Sequence, residues 1–272
     1  MIRSEVIAER VERALIKANT EMNPEILSLL ESYEGPFSDT LKENASIARK
    51  TGLPICQDTG FVEFFIFLGN EVRLEEPVDR ILDSVVRKVY SERPYRYSMV
   101  RDPLFERENT GDNTPSICHI SPVIGRTLEI RFLVKGGGSE NLSRLFMLSP
   151  TATPDEIAET IVNSIREGVA RGCPPLKIGI GIGGSSEKAM LLAKFALTRE
   201  FGERNERDSY AALEERILRE VNDLKFGYQG LGKGITAYSV HIETFPTHIA
   251  VLPVGLAVDC YISRRGRVTI EG

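Results

Sequence analysis

The sequence predicts an α+β fold, with mixed helices and small sheets in one compact domain over residues 1–272 that can divide into two lobes. Three observations carry this. Apolar residues recur at helical spacing in some stretches and alternate in others, so both element types are present. The two types do not alternate regularly, which argues against a doubly wound parallel sheet. No internal repeat or low-complexity linker interrupts the 272 residues, and that length suits one large domain.

Taken in order, Val6, Ile7, Val11, Ala14, Leu15 and Ala18 mark an amphipathic opening helix. Short helices follow at Pro24–Glu31 and Asp39–Lys50, the second with Gly52 as its C-cap. Phe61–Leu68 reads as a strand and Val78–Glu92 as a helix. Residues 93–118 lack periodicity and hold Pro94, Pro103, Gly111 and Pro115, and a loop that long in a compact chain is usually functional or disordered. Leu128–Val134 alternates like a strand. Thr153-Pro154-Asp155-Glu156 is a helix start, with Thr153 as cap, Pro154 in the first turn and Glu156 closing a capping box. That helix should end near Arg171-Gly172. Leu176–Ile182 is the next strand, Ser185–Phe201 and Ser209–Lys225 are helices, and the chain from Ile235 is β-rich.

Composition removes several function classes. Hydrophobic residues make up 42% and charged residues 27%, and the formal net charge is -5. No basic field exists for nucleic acid and no Lys/Arg run for a membrane surface. Met1–Leu15 carries Arg3, Glu5, Glu9, Arg10, Glu12 and Arg13, so it is not the apolar stretch of a signal peptide. The longest apolar stretch, Ala250–Val258, is broken by Pro253 and Gly255 and is too short to span a bilayer. A reducing cytoplasm is the expected compartment.

Four cysteines stand far apart: Cys56, Cys118, Cys173 and Cys260. Cys56 and Cys173 sit at sharp backbone punctuation, and Cys260 follows Asp259 at the end of an apolar strand. Three separated thiolates suit an iron–sulfur cluster with one iron left open, whereas zinc would call for CxxC pairs, which are absent. On spacing alone, buried apolar cysteines are an equal reading. For Cys118, between Ile117 and His119 at a strand entrance, the core reading prevails.

Polar loops shift the balance. Gln57-Asp58-Thr59-Gly60, Asn109–Pro115 and Lys135-Gly136-Gly137-Gly138-Ser139-Glu140-Asn141 are dense in glycine and hydrogen-bonding groups, as a site built from loops on a scaffold would be. Singly, each is more often a solvated turn. Gly179, Gly181 and Gly184 match GxGxxG, which on paper marks a nucleotide site. Those glycines alternate with Ile178, Ile180 and Ile182 inside the strand itself, so close backbone approach is the favoured reading. The turn at Gly183–Ser186 could still offer donors to an anion.

Five motifs in this order resemble the N-terminal domain of class I iron–sulfur fumarases and the α subunit of two-subunit fumarase or L-tartrate dehydratase. They are Cys56–Gly60, Asn109-Thr110-Gly111, Lys135–Ser139, Gly172-Cys173-Pro174-Pro175 and Pro253-Val254-Gly255, and the resemblance covers nearly the whole chain. It implies a 4Fe–4S cluster on Cys56, Cys173 and Cys260. Some family members carry a cysteine where Leu252 stands, so Cys260 is the candidate for the third ligand. It also implies substrate contacts from Gln57, Asp58, Arg96, Asn109, Thr110, Lys135 and Gly136–Gly138, with Asp58 and His248 as catalytic groups. A structural, hydrogen-bonded His248 is the equal alternative. Arg96 suits a carboxylate because its planar fork grips two oxygens at once.

The implied activity is reversible hydration of fumarate to malate, a step of the tricarboxylic acid cycle, or dehydration of L-tartrate. The implied partner is a separate β subunit, two α with two β, because single-chain members continue into a further domain. Two readings from other classes stand beside it. One is a nucleotide-binding protein using Gly179–Gly184, and the other a non-catalytic assembly protein whose cysteines are core residues.

Overall fold

The computed structural model describes all 272 residues. They form two units. The first combines Met1–Leu27, Asp39–Gly136 and Arg264–Gly272, and the second combines Ser28–Ser38 and Gly137–Ser263. Each mixes helices with a four-stranded sheet, as an α+β sequence should.

In the first unit, α1 (Ser4–Thr20) and α4 (Val78–Glu92) cover the sheet. Between them in sequence, α2 (Pro24–Glu31) straddles the unit boundary and α3 (Ser38–Thr51) leads to β1 (Phe61–Gly69). Gly52 caps α3 with a φ of +72°, its amide on the Ala48 carbonyl. The sheet adds β2 (Ile117–Val123), β3 (Thr127–Lys135) and β8 (Arg265–Glu271) in the order β2-β1-β3-β8. β1 runs parallel to β2 and antiparallel to β3. Phe64 and Ile66 of β1, with Ile130 and Phe132 of β3, bury against Val11 and Leu15 of α1 and Leu82 and Val86 of α4. Only β2 escapes the expected pattern. It is a largely exposed edge strand containing Pro122, so it lacks the apolar alternation by which buried strands are read.

In the second unit, α5 (Gly137–Glu140) is a single turn, followed by β4 (Arg144–Leu148) and α6 (Pro154–Gly168). The capping box forms: the Glu156 amide donates to Thr153 Oγ1 at 3.3 Å, and the Glu156 carboxylate accepts the Thr153 amide at 2.6 Å. After a 3₁₀ turn at Val169–Gly172 come β5 (Leu176–Gly183), α7 (Ser186–Ala196) and α8 (Asp208–Asn222), then β6 (Ala237–Phe245) and β7 (Leu252–Asp259). The sheet order is β4-β7-β5-β6.

β5 is buried along its length, and its two faces differ in kind. Ile178, Ile180 and Ile182 pack with Ile161 of α6 and Ile217 of α8. Gly179 and Gly181 lie under α7, where a Cβ would stand 2.1 Å from the Ala193 carbonyl oxygen and 2.0 Å from that of Ala189. A third glycine, Gly255 of β7, meets the Ala189 carbonyl in the same way, at 2.5 Å. The GxGxxG spacing therefore encodes helix-on-strand contact. α7 ends five residues before the expected Phe201, where Leu197, Thr198 and Arg199 close tight turns back onto the helix.

Candidate functional site

The candidate residues fall into two groups, one in each unit. In the first unit three loops meet beyond the ends of β1 and β3. Gly60 brings two of them together: its φ is +69°, and a Cβ there would stand 2.4 Å from the Lys135 carbonyl oxygen. Thr59 joins the third. Its buried hydroxyl donates to the Arg96 carbonyl at 2.7 Å and accepts the Arg96 amide at 2.9 Å. Asn113 completes the joint, donating to the Gly60 carbonyl at 2.9 Å and accepting the amides of Ser98 and Met99 at 2.7 and 3.2 Å. Burial pushes the Tyr90 phenol up in pKa, so it stays a donor, and it donates to the Thr59 carbonyl at 2.5 Å.

These contacts fix the backbone of residues 56–60 and 96–113 and leave chosen side chains at the surface. Gln57 and Arg96 are exposed, and Cys56 and Asp58 are half-buried. Asp58 Oδ1 accepts the Gly60 amide at 3.0 Å and lies 3.5 Å from Ser98 Oγ. Its Oδ2 stands 3.1 Å from where a Cβ on Gly136 would be, so a side chain at 136 would crowd the carboxylate. Asn109 is spent on its own loop, donating to the Tyr97 carbonyl and accepting the Gly111 amide. Beside it the Thr110 hydroxyl is buried without a hydrogen-bond partner in the protein. Lys135 is fully buried.

The second unit gathers Gly137, Gly138, Cys173 and Cys260. Gly138 lies against the Arg171 carbonyl, 2.9 Å from where its Cβ would be, which puts the α5 turn beside the segment leading to Cys173. Cys173 is left-handed, with φ 54° and ψ 66°, a conformation sparsely populated by non-glycine residues and characteristic of functional positions. The Tyr261 amide donates to the Cys173 carbonyl at 3.1 Å, so the backbones carrying Cys173 and Cys260 adjoin. Cys260 directly follows β7, its amide on Asp259 Oδ1 at 3.0 Å.

His248 is not brought there. It lies in the turn before β7, exposed, its Nδ1 accepting the Ala250 amide at 3.1 Å. Cys260 is past the other end of that eight-residue strand, about 26 Å long at ~3.3 Å per residue. His248 instead lines a cavity of about 590 Å³ with Lys188, Phe245 and the start of α7.

The donor chemistry bears on an iron–sulfur cluster. No disulfide joins the cysteines. Cys56, Cys173 and Cys260 all lie on irregular backbone, Cys173 exposed and the other two half-buried. Cys118 is different. It packs against the first core, and burial raises its thiol to about 11, only partly offset by Ser116, so it remains a protonated core residue. Neither unit alone holds three Cys, His, Asp or Glu side chains placed for a metal ion. Thiols fit the cluster in kind, and the second unit brings two of the three onto adjoining backbone.

Sequence reasoning missed Arg264. It is 3% exposed, its Nη1 donates to Asn19 Oδ1 at 3.1 Å, and its Nη2 lies 3.7 Å from the Cβ position of Gly136. The only available signal was an arginine in Arg264-Arg265-Gly266-Arg267, which reads as a solvated charge run.

Comparison with known proteins agrees with this arrangement of motifs. A family model described as Fumarate hydratase (Fumerase) matches residues 8–269. A Methanocaldococcus jannaschii protein, provisionally named L(+)-tartrate dehydratase subunit alpha, is 36% identical over 275 aligned residues, covering 96% of this chain and 95% of the relative. The L(+)-tartrate dehydratase subunit alpha of Escherichia coli K12 is 30% identical, covering 85% of this chain and 77% of the relative. The protein of that name from Shigella boydii serotype 4 matches to the same extent, again 30% identical over 237 residues.

Proposed function

Because the chain belongs to the fumarate hydratase family, we propose that it is the α subunit of an iron–sulfur hydro-lyase acting on a hydroxy-dicarboxylate with a separate β subunit. The observation that carries this reading is the closure of Asp58, Gly136 and the Arg96 loop in the first unit. A half-buried carboxylate in a rigid polar loop beside an exposed arginine suits a diacid whose reaction moves a proton.

Cys56, Cys173 and Cys260 are the residues we assign to hold a 4Fe–4S cluster. A bound cluster with an open iron supplies a Lewis acid that polarises the substrate hydroxyl. This chain supplies the rest of its share. Arg96 grips one carboxylate with paired hydrogen bonds. Gln57, the Thr110 hydroxyl and the glycine segment Gly136–Gly138 bind the remaining oxygens, while Asn109 holds the loop that presents Thr110. Lys135, buried behind Gly136, adds positive charge to the site. Asp58 is one member of the acid/base pair that handles the protons, with its counterpart on the β subunit. His248 receives no step, since it lies at the far end of β7 from Cys260.

For the substrate, the relatives' names favour L(+)-tartrate. Hydration of fumarate to malate is the second reading, and it rests on the family description. A complex of two α and two β subunits in the cytoplasm completes the proposal, and no helix is long and apolar enough to cross a membrane. Nucleotide binding at Gly179–Gly184 is disfavoured because α7 covers the first two of its glycines. The test is anaerobic co-purification with the β subunit, an iron and sulfide assay, and turnover of L(+)-tartrate against fumarate and malate. Bound iron with dehydration of either diacid supports the reading. A metal-free complex inactive on all three contradicts it.

A further inference from the structure

Arg264 enters the first unit at the head of β8, and its backbone carbonyl accepts the Val134 amide at 2.8 Å, one strand from the Asp58 loop. Its side chain is buried, while Gln57 and Arg96 in the same unit are exposed. Burying a cation is costly unless its hydrogen bonds and a counter-charge are supplied. Nη1 uses the buried amide of Asn19, which is neutral. Nη2 lies 3.7 Å from the Cβ position of Gly136, and Asp58 Oδ2 lies 3.1 Å from the same position. The Asn19 contact reaches the loop as well. The Asn19 carbonyl accepts the Ile55 amide at 2.8 Å, and the Ile55 carbonyl accepts Asn44 Nδ2 at 2.9 Å. One guanidinium thus touches the support of residue 55 and the space beside residue 58, the two ends of Ile55-Cys56-Gln57-Asp58.

We infer that Arg264 is a positioning residue for Asp58: a buried side chain behind residues 55–58 that, through Asn19, fixes the loop holding the carboxylate beside Gly136. The inference deepens the proposed function and rests on the assignment of Asp58 as the proton-transfer group. Arg264 is too buried to meet the substrate itself, so it acts through Asp58 and not as a second carboxylate clamp.

A double-mutant cycle in the cluster-loaded complex with the β subunit tests this. Asp58→Asn comes first, and if it turns over normally the assignment of Asp58 fails, whatever Arg264 does. With Asp58→Asn impaired but measurable, Arg264→Gln should lower kcat roughly 10²-fold, the scale of a displaced catalytic group, with KM changed far less. Added to Asp58→Asn it should cost nothing further, because both act on one group. Free guanidinium should restore part of the turnover of Arg264→Gly, which a mere packing defect would not allow. In the isolated full chain, Arg264→Gln should speed hydrogen exchange at the Gly60 amide, the donor to Asp58 Oδ1. Arg264→Lys serves where the neutral variants do not fold. It keeps charge but loses the fork, and should fall between wild type and Arg264→Gln. A KM rise with kcat intact, or full additivity with Asp58→Asn, overturns the inference while leaving Asp58 in place. So would Arg264→Lys at wild-type turnover with unchanged Gly60 exchange.

Discussion

Two glycine-marked regions of this chain look alike in sequence and do opposite things. In β5, Gly179 and Gly181 remove side chains so that α7 can lie on the strand, and what their missing Cβ atoms would strike is helix backbone at 2.1 and 2.0 Å. In the loops after the α3 cap and β3, Gly60 and Gly136 also remove side chains, but what closes in is a carbonyl oxygen and the Asp58 carboxylate. The first region uses glycine to pack and the second to place a charge. A glycine motif is therefore read by what fills the vacated space, and sequence spacing alone does not say which.

The comparison predicts different losses. In the packing region Gly181→Val should have the largest effect on folding, since its side chain must displace the Ala189 carbonyl. Overpacking commonly costs ~1–3 kcal/mol, and with rigid backbone as the obstacle the loss belongs at the upper end or beyond, read as a fall in denaturation midpoint. In the site region Asp58→Asn should leave folding and iron content near normal and lower turnover by ~10²–10⁴-fold, because a near-isosteric amide carries no proton. If the two variants were to exchange behaviours, with Gly181→Val folded and inactive and Asp58→Asn unfolded, the division between packing and chemistry would be wrong.

Smaller effects sharpen the boundary. Arg96→Lys should raise KM by roughly 10-fold with kcat less affected, because the charge stays and the two-oxygen grip goes. A change in kcat alone would move Arg96 from binding to chemistry. Thr153→Ala, far from either region, should cost ~1 kcal/mol through the lost cap and leave turnover unchanged. The smallest effect concerns acid. Partial burial pushes the Asp112 carboxyl up, but hydrogen bonds from Arg87 and Thr114 and the Arg87 charge outweigh it and hold it at about 2, against 3.8 unperturbed. A lowered folded-state pKa stabilises above the unfolded value and is lost as pH falls toward the folded one. Asp112→Asn should therefore flatten the stability profile slightly between about pH 4 and pH 2, and a pH titration of the denaturation midpoint checks it.

Much of this was legible beforehand. The α6 start was readable because a capping box is a local device, with Thr153 and Glu156 bonding each other across one turn. β5 was readable because Ile178, Ile180 and Ile182 alternate with glycine. Of β2 only the entrance at Cys118 was readable, since an exposed edge strand needs no apolar pattern. The family motifs pointed to the loops, but they could not show that Asn109 is consumed within its own loop or that His248 lies at the opposite end of β7 from Cys260. Arg264 was hidden for the same reason. Its role depends on Asn19 and Gly136, 245 and 128 residues away in the chain, and nothing local marks it.

The central claim is that three of the four cysteines serve a cluster and the fourth serves the core. Iron and sulfide content of the anaerobically purified complex, measured for each Cys→Ser variant in turn, tests it most directly. Cys56→Ser, Cys173→Ser and Cys260→Ser should each lose cluster iron, while Cys118→Ser should keep it at the wild-type level. Full iron in Cys56→Ser, or its loss in a folded Cys118→Ser, would contradict the assignment.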